Sequence, residues 1–293
     1  MRDTRTNPGN PVKLRKMVLS DMDSLMKLKD AESWNQLEKD WALLINYPES
    51  VNLVAALDDR IVGTVTAINY ANTVAWIGMM LVDRDYRGRG ISKLLLLDAI
   101  DKLKKCKSIK LDATPAGRPV YLKVGFIDEY TLYRMTNPSV SKISLSDDPF
   151  KTEQIKPSDI PEIAAFDKKV FGADRTELIK RLFETCPELA WLIKENNRVA
   201  GFCLGRSGQN FTQIGPVYAS SAKGAKALIR SAVDQITGQA VVVDIPAARS
   251  ETKRWLEACG FISLRPFERM YLHNNPHPGI IENQYLISGP ELG

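Results

Sequence analysis

Histidine and cysteine are scarce in this chain of 293 residues. There are two histidines, His273 and His277, and four cysteines that lie far apart without a CxxC pair. Metal sites and disulfide frameworks need such residues in close, regular spacing, so the sequence argues against both. It also argues against a Cys/His or Ser/His catalytic pair. We expect a protein without a metal that resides in a reducing compartment.

Long apolar runs are absent as well. No stretch reaches 18 consecutive apolar residues, and residues 1–16 lack the apolar core of a secretory signal. A composition of 44% apolar and 26% charged residues is typical of a soluble globular protein. We therefore expect a cytoplasmic protein with no membrane partner.

The excess of charge of one sign is small, with a net charge of +5. The densest lysine cluster, residues 102–110, falls at the end of a predicted helix, where cations complement the helix dipole. A solvated helix end accounts for this cluster, so we expect no nucleic-acid partner.

One turn stands out, Arg87-Gly88-Arg89-Gly90-Ile91-Ser92. An apolar strand, residues 75–82, leads into it, and a helix with apolar positions at Leu96, Ile100 and Leu103 leads out of it. Backbone N–H groups of such a glycine-rich turn are unpaired, and the helix dipole adds partial positive charge, which suits a phosphate or pyrophosphate. The spacing matches neither the Rossmann motif nor the P-loop. The alternative is a basic surface turn that only caps the helix.

The pattern around this turn predicts an α/β fold. The predicted order in the first half is strand, two helices, three strands, helix, strand, short helix and strand. Strands are expected at residues 12–18, 51–57, 61–68, 73–82, 109–112 and 127–135, and helices from residue 20, at 38–45, at 91–105 and around residue 121.

The spacing Arg87-x-x-Gly90-x-Ser92 resembles the [Q/R]-x-x-G-x-[G/A] signature with which GNAT-superfamily N-acetyltransferases hold the pyrophosphate of acetyl-CoA. Ser92 stands where Gly or Ala is usual in that family. The element order also resembles the GNAT fold, a mixed central sheet flanked by helices. The resemblance implies acetyl-CoA as the acyl donor, with an N–H group near Met80 or Leu81 facing the oxyanion. The cofactor-binding residues that it implies are Met80, Leu81, Val82, Arg87, Gly88, Arg89, Gly90, Ile91 and Ser92.

The segment Tyr121-Leu122-Lys123-Val124-Gly125-Phe126 is similar to a second GNAT element. The tyrosine of that element commonly donates a proton to the departing thiolate, so the resemblance implies that Tyr121 is the catalytic acid. The alternative is that Tyr121 is a half-buried helix residue with its hydroxyl at the surface.

A general base is harder to find. Many GNAT enzymes place an acid on the strand that precedes the turn, but residues 75–82 carry none. Asp40, Asp83 and Asp112 are each expected to be a cap or a surface charge. We therefore assign no base from the sequence.

The second half of the chain repeats the first. Short segments recur between 135 and 138 residues later, which is hard to obtain by chance at several places. The recurring pairs are Ser20-Asp21 with Ser158-Asp159, Arg60-Ile61-Val62-Gly63 with Arg198-Val199-Ala200-Gly201, Ile77-Gly78 with Ile214-Gly215, Gly125-Phe126 with Gly260-Phe261, and Arg134-Met135 with Arg269-Met270.

The two copies differ where the chemistry is expected. Residues 224–227 replace the arginine and paired glycines of the turn, and Leu256 replaces Tyr121. We predict a catalytic GNAT domain at residues 11–137, a linker at 138–149, and a degenerate GNAT-like domain at 150–293.

The whole layout resembles tandem GNAT proteins in which a degenerate domain follows a GNAT domain. In such folds the acceptor enters past the loop between the first two helices, so Trp34 and Asn35 are candidate substrate-binding residues; the alternatives are packing for Trp34 and an N-cap for Asn35. The segments that carry this resemblance are Trp34-Asn35, 112–117, 171–175, 214–216 and 289–293.

The function expected from these motifs is direct transfer of an acetyl group from acetyl-CoA to a primary amine of a small molecule, through a tetrahedral intermediate. The alternatives are acetylation of a protein lysine or N-terminus, and a non-catalytic acyl-CoA sensor or scaffold. A monomer or a homodimer is expected. The sequence identifies neither the acceptor nor the role of the second domain.

Overall fold

The computed structural model describes residues 11–143 and 150–293. The first half forms six strands and four helices in the predicted order. They are β1 Lys13–Lys16, α1 Met22–Ala31, α2 Glu38–Ile45, β2 Val51–Leu57, β3 Arg60–Tyr70, β4 Val74–Val82, α3 Ile91–Lys102, β5 Ser108–Ala113, α4 Arg118–Leu122 and β6 Ile127–Asn137.

The second half repeats this order and adds one short strand. Its elements are β7 Thr152–Gln154, α5 Ile160–Phe171, α6 Thr176–Thr185, β8 Trp191–Glu195, β9 Arg198–Arg206, β10 Thr212–Ala219, α7 Ala222–Gln235, β11 Val241–Pro246, α8 Ser250–Ala258, β12 Ile262–His273 and β13 Gln284–Leu286. The predicted α/β class, a mixed sheet flanked by helices in each half, is confirmed. No helix within the described ranges is long and apolar enough to cross a bilayer.

All strands join one sheet, in which the two halves exchange their last strands. The order is β1-β2-β3-β4-β5-β12-β6-β11-β10-β9-β8-β7, with β13 paired to β10. Strand β12 of the second half therefore lies against β5, and β6 of the first half lies against β11. The predicted domain limits stay a prediction. The exchange places β12 of the second half between β5 and β6 of the first, so the sheet does not divide at a single point of the chain. Residues 144–149 of the predicted linker lie outside the described residues.

A pair of buried ion pairs locks the exchanged strands. Arg269 of β12 makes two hydrogen bonds to Asp112 of β5, at 2.8 and 2.9 Å. Arg134 of β6 makes the corresponding pair with Asp244 of β11, at 2.8 Å each. The repeated Arg-Met dipeptide thus supplies an arginine from each copy to an aspartate of the other. Asp112 is neither the cap nor the surface charge expected from the sequence, because its side chain is fully buried.

A shared apolar core holds the helices of the two halves together. Leu25 of α1, Trp41 of α2, Ile163 of α5 and Leu178 of α6 belong to one continuous cluster on the inner face of the sheet. Separate cores lie under α3 on the first half and under α7 on the second. The inner face of the sheet is therefore enclosed between the two halves.

The last residues of the sequence return from the second half to the first. After β13, the Ile287 N–H donates to the Asp244 carbonyl, which keeps the chain beside β11. Trp76 of β4 then donates to the Pro290 carbonyl at 2.9 Å, and the Tyr70 hydroxyl donates to the Leu292 carbonyl at 2.8 Å. We call residues 288–293 the return segment.

Candidate active site

Strands β4 and β5 separate partway along their length and open the sheet. They pair in parallel only from Val74 with Ser108 to Ile77 with Leu111. Met79 then adopts a φ of +47°, and the register with β3 shifts at this point. Such a bulge bends the strand, so β4 beyond Ile77 has no neighbouring strand on the β5 side. The backbone of this stretch therefore faces the opening without a strand partner on that side.

The glycine turn lies at the outer end of this opening. Gly88 and Gly90 have φ values of +77° and +80°, and a Cβ atom added at either would meet nothing within 4 Å. The N–H groups of residues 88–93 donate to no group of the described chain. Because α3 begins at Ile91, these unpaired donors and the helix dipole converge on one open spot. The turn therefore fits a pyrophosphate.

Arg87 is held at the mouth of the opening. Its Nε donates to the Val82 carbonyl at 3.1 Å, and its Nη2 donates to Glu32 Oε1 at 2.6 Å. Burial alone would raise the pKa of Glu32, but hydrogen bonds from Arg84 and Arg87 lower it below the ordinary value. Half of the Arg87 side chain is exposed, so its guanidinium is accessible to an anion on the turn.

Tyr121 lies across the opening from β4. Its ring contacts Phe126 edge-on, with the ring centroids 5.8 Å apart. A Cβ atom at Gly117 would lie 3.1 Å from this ring, so the glycine leaves room for it. Burial raises the pKa of Tyr121 to about 12. The phenol is therefore protonated at neutral pH, as a proton donor must be.

These features surround one cavity of about 630 Å³. Its walls include most of the residues that the sequence singled out for the acyl donor and the acid. They are Met80, Leu81, Val82, Arg87, Gly88, Gly90, Ile91, Ser92 and Tyr121. Trp34 also lines the cavity, on the side of the loop between α1 and α2.

The return segment closes the inner end of this cavity with an acid. The Glu291 Cα lies only 2.7 Å from where a Cβ at Gly78 would stand, so the close approach to β4 requires a glycine there. Gln36 donates to Glu291 Oε1 at 2.8 Å, and Arg206 pairs with the same oxygen. Burial alone would raise the pKa of Glu291, but the charge of Arg206 and these hydrogen bonds lower it, so the carboxylate is ionised.

The corresponding opening in the second half is filled by the chain itself. Strands β10 and β11 pair only at Thr212 and Gln213 before they separate. Strand β13 then pairs with β10, and residue 287 bonds to β11. The start of α7 is also satisfied internally, because the Ser221 hydroxyl accepts from the Gly224 N–H at 3.2 Å. Among the described residues, the chain itself therefore occupies the place that stands open in the first half.

Two family models match successive parts of the chain. One, described as the acetyltransferase (GNAT) family, matches residues 20–126, and the other, described as an acetyltransferase (GNAT) domain, matches residues 163–286. The chain belongs to the GNAT superfamily. It is a tandem GNAT protein and an N-acyltransferase, and GNAT enzymes use acetyl-CoA or another acyl-CoA as donor.

Relatives of this GNAT protein extend over most of its length. Holothin acyltransferase of a Pseudoalteromonas species is 27% identical over 264 residues, which cover 90% of this chain and 88% of that protein. A proposed acetyltransferase from Pyrococcus horikoshii superposes with a TM-score of 0.80 at 22% identity, over 100% of this chain and 99% of that one. A GCN5-related N-acetyltransferase from Sphaerobacter thermophilus superposes with a TM-score of 0.64 at 14% identity, over 89% and 95%.

Two of the predicted site residues lie outside the walls of the GNAT cavity. The Arg89 guanidinium stacks over the Tyr86 ring at 4.9 Å. Asn35 binds a loop of the second half, donating to the Phe211 carbonyl at 2.9 Å and accepting from the Asn210 and Phe211 N–H groups at 2.9 Å. The Asn35 side chain thus holds the two halves together.

Sequence reasoning missed the residues on the inner side of the cavity. Gln36, Arg134, Arg265, Phe267 and Glu291 all line it, and three of them come from the second half. The sequence shows the repeat of Arg134-Met135 as Arg269-Met270. Because the strand exchange is not visible in the sequence, the repeat does not indicate which aspartate either arginine pairs with. Arg265 has no signal in the sequence.

Proposed function

We propose that this GNAT protein transfers an acetyl group from acetyl-CoA to a primary amine of a small molecule, without a metal. The supporting observation is that the pyrophosphate-type turn, the open edge of β4 and Tyr121 border one cavity. Within the described residues, no group of three or more His, Cys, Asp or Glu side chains is placed to hold a metal.

The roles of the chain in this reaction follow from its positions around the cavity. The neutral amine nitrogen attacks the thioester carbonyl, and the new N–C bond gives a tetrahedral intermediate. The nitrogen loses one proton to solvent water, and collapse of the intermediate breaks the C–S bond. A free N–H group of β4 near Met80 or Leu81 stabilises the oxyanion. Tyr121 gives its proton to the departing thiolate. The amine must reach the carbonyl from the inner side, because the turn and α3 occupy the outer side.

The direct test is release of free thiol from acetyl-CoA in the presence of a panel of small amines. Propionyl-CoA belongs in the panel as well, because the Pseudoalteromonas relative is named an acyltransferase. Acetylation of at least one small amine is the expected result. Absence of thiol release with every amine, together with absence of CoA binding by calorimetry, would contradict the proposal.

Two other activities remain as outcomes of this test. Acetylation of peptides in preference to small amines would favour a protein acetyltransferase, although the enclosed inner face argues against a groove for a polypeptide. Tight CoA binding without acetylation of any acceptor would favour a sensor or scaffold. We also propose a cytoplasmic location, no nucleic-acid or membrane partner, and a monomer or homodimer, which fractionation and light scattering would test.

Arg87→Ala is expected to weaken CoA binding by about 10-fold, because a charged hydrogen bond contributes roughly 1.5–3 kcal/mol and this side chain is half exposed. Calorimetry with CoA measures the effect. Arg60→Ala is the matched control, since that exposed arginine pairs with Asp83 outside the cavity walls. Equal affinities for the Arg87 variant and the wild type would contradict the assignment of Arg87 to the pyrophosphate.

A further inference from the structure

Two arginines lie on the inner wall of the cavity, on the exchanged strands. Arg134 of β6 and Arg265 of β12 are register partners, and both line the cavity. Their guanidinium carbons lie 5.1 and 5.0 Å from the centre of the buried Phe267 ring. Both guanidinium groups therefore make a cation–π contact with the same ring and lie in the same wall of the cavity.

Only one of these two guanidinium groups has an ion-pair partner among the described residues. Arg134 uses two of its nitrogens for Asp244. Arg265 makes no hydrogen bond or ion pair with any described residue, and its buried Nε has no partner. Burial and the neighbouring charge of Arg134 lower the pKa of Arg265 by more than the charge of Asp244 raises it. A guanidinium stays charged at neutral pH nonetheless, so Arg265 presents an unpaired cation to the cavity.

A buried carboxylate, Glu291, lines the same cavity. The negative charge of Glu291, in the return segment, raises the pKa of Arg134, and the positive charge of Arg134 lowers the pKa of Arg265. Glu291 abuts Gly78 of β4, close to the stretch of backbone where the acyl carbon is proposed to lie. Arg206 compensates Glu291 but also pairs with Asp40, so this buried group carries an excess of one negative charge.

The pattern of charge matches a molecule with an amine at one end and an anion at the other. We propose that the acceptor is a small amine that also bears a carboxylate or phosphate, with its ammonium against Glu291 and its anionic group on Arg265. This inference rests on the proposed N-acetyltransferase function and specifies its substrate class.

The anion is assigned to the acceptor because of where Arg265 lies. Strands β12 and β5 are antiparallel, and their pairing ends at Glu268 and Ala113. Arg265, three residues before Glu268, therefore lies beyond the end of β5. It stands on β12 of the exchanged strands, whereas the pyrophosphate turn lies between β4 and α3. A guanidinium binds carboxylate and phosphate through two parallel hydrogen bonds, which accounts for an unpaired arginine in this wall.

The test compares matched acceptors with the intact protein. β-Alanine, 4-aminobutyrate and the common α-amino acids are each paired with the corresponding carboxamide, and phosphoethanolamine with ethanolamine. The first pairs report carboxylate recognition and the last pair reports phosphate recognition. In the wild type, kcat/KM is expected to favour at least one anionic acceptor over its neutral partner by about 10- to 100-fold.

Three variants locate the preference. Arg265→Gln is expected to remove it, by lowering kcat/KM for the anionic acceptor to about that for its neutral partner. Arg265→Lys should restore part of it, because the charge is kept and the two-pronged geometry is lost. Arg254→Gln, which changes an exposed arginine of α8, is the control and should leave it intact.

The outcomes separate this inference from the function on which it rests. Acetylation of neutral amines only, or a preference that survives Arg265→Gln, would overturn the inference while the N-acetyltransferase function stands. A gain with succinyl-CoA over acetyl-CoA that is lost in Arg265→Gln would assign Arg265 to the acyl group instead. If no amine is acetylated, the function fails, and calorimetry of the amino acids with the CoA complex of wild type and Arg265→Gln still decides whether Arg265 binds an anion.

Discussion

Tyr121→Phe is expected to lower kcat by about 10²- to 10⁴-fold, the range that a well-placed proton donor contributes. The Tyr121 side chain lines the cavity, and burial raises its pKa to about 12. The substitution removes its phenolic hydroxyl and with it the proton to be donated. The packing against Phe126 is kept. Steady-state kinetics with the best acceptor, with CoA affinity measured in parallel, distinguishes loss of the acid from loss of binding.

Tyr133→Phe provides the control for this substitution. Tyr133 is a partly buried tyrosine of β6 that packs in the core of the second half and does not line the cavity. Tyr133→Phe removes one hydroxyl outside the cavity and should leave kcat unchanged. An unchanged kcat in Tyr121→Phe, or a weakened CoA affinity with normal turnover, would refute the role of Tyr121 as the acid.

The pH profile adds a second check on Tyr121. The neutral phenol is the donor, and a pKa of about 12 keeps it protonated well above neutral pH. The rate should therefore rise with pH as the amine loses its proton, and it should not fall again below about pH 10. A fall in kcat within that range would mean that the group acting as acid has a lower pKa than Tyr121.

Asp112→Ala is expected to lower the free energy of unfolding by about 3–5 kcal/mol. The substitution leaves the Arg269 guanidinium buried without its partner, and an uncompensated buried charge of this kind is strongly destabilising. Because Arg269 also stacks over Trp76 at 4.5 Å, it cannot easily turn to solvent. Urea denaturation followed by circular dichroism measures the loss.

Asp128→Ala is the matched control, because Asp128 forms a partly exposed ion pair with Arg118. Such pairs contribute about 0–1 kcal/mol, so this variant should unfold close to the wild type. Asp244→Ala should resemble Asp112→Ala, since it breaks the corresponding bond between β11 and β6. Destabilisation of less than 1 kcal/mol by both aspartate substitutions would show that the exchanged strands are held by backbone pairing and packing instead.

That the glycine turn and Tyr121 border one cavity could be predicted from the sequence, because these parts are local. The turn at residues 87–92 is a strand-to-helix junction, and its glycines and arginines act through the backbone conformation of that one stretch. Tyr121 belongs to a short helix that follows the next strand, so it returns to the same edge of the sheet. Each of these placements depends on neighbours close in the chain.

The opposite wall of the cavity could not be predicted, because the residues that form it are remote in the sequence. Glu291 reaches β4 only because β13 fills the opening of the second half and directs the return segment across the inner face. Arg265 reaches the cavity only because β12 lies against β5. Asn35, a candidate for the substrate, instead binds the loop before β10. No periodicity or spacing encodes such contacts.

By itself, the sequence determined a repeated α/β fold, the absence of paired histidine or cysteine motifs and one glycine-rich turn that the second copy lacks, because these depend on composition and short-range pattern. The tertiary structure alone decided that the halves exchange strands, that Asp112 pairs with Arg269, and that the second opening is closed. It also placed Arg134, Arg265 and Glu291 in the walls of one cavity. Those outcomes depend on which strand edges meet, and an edge has the same backbone donors and acceptors whichever half supplies its partner.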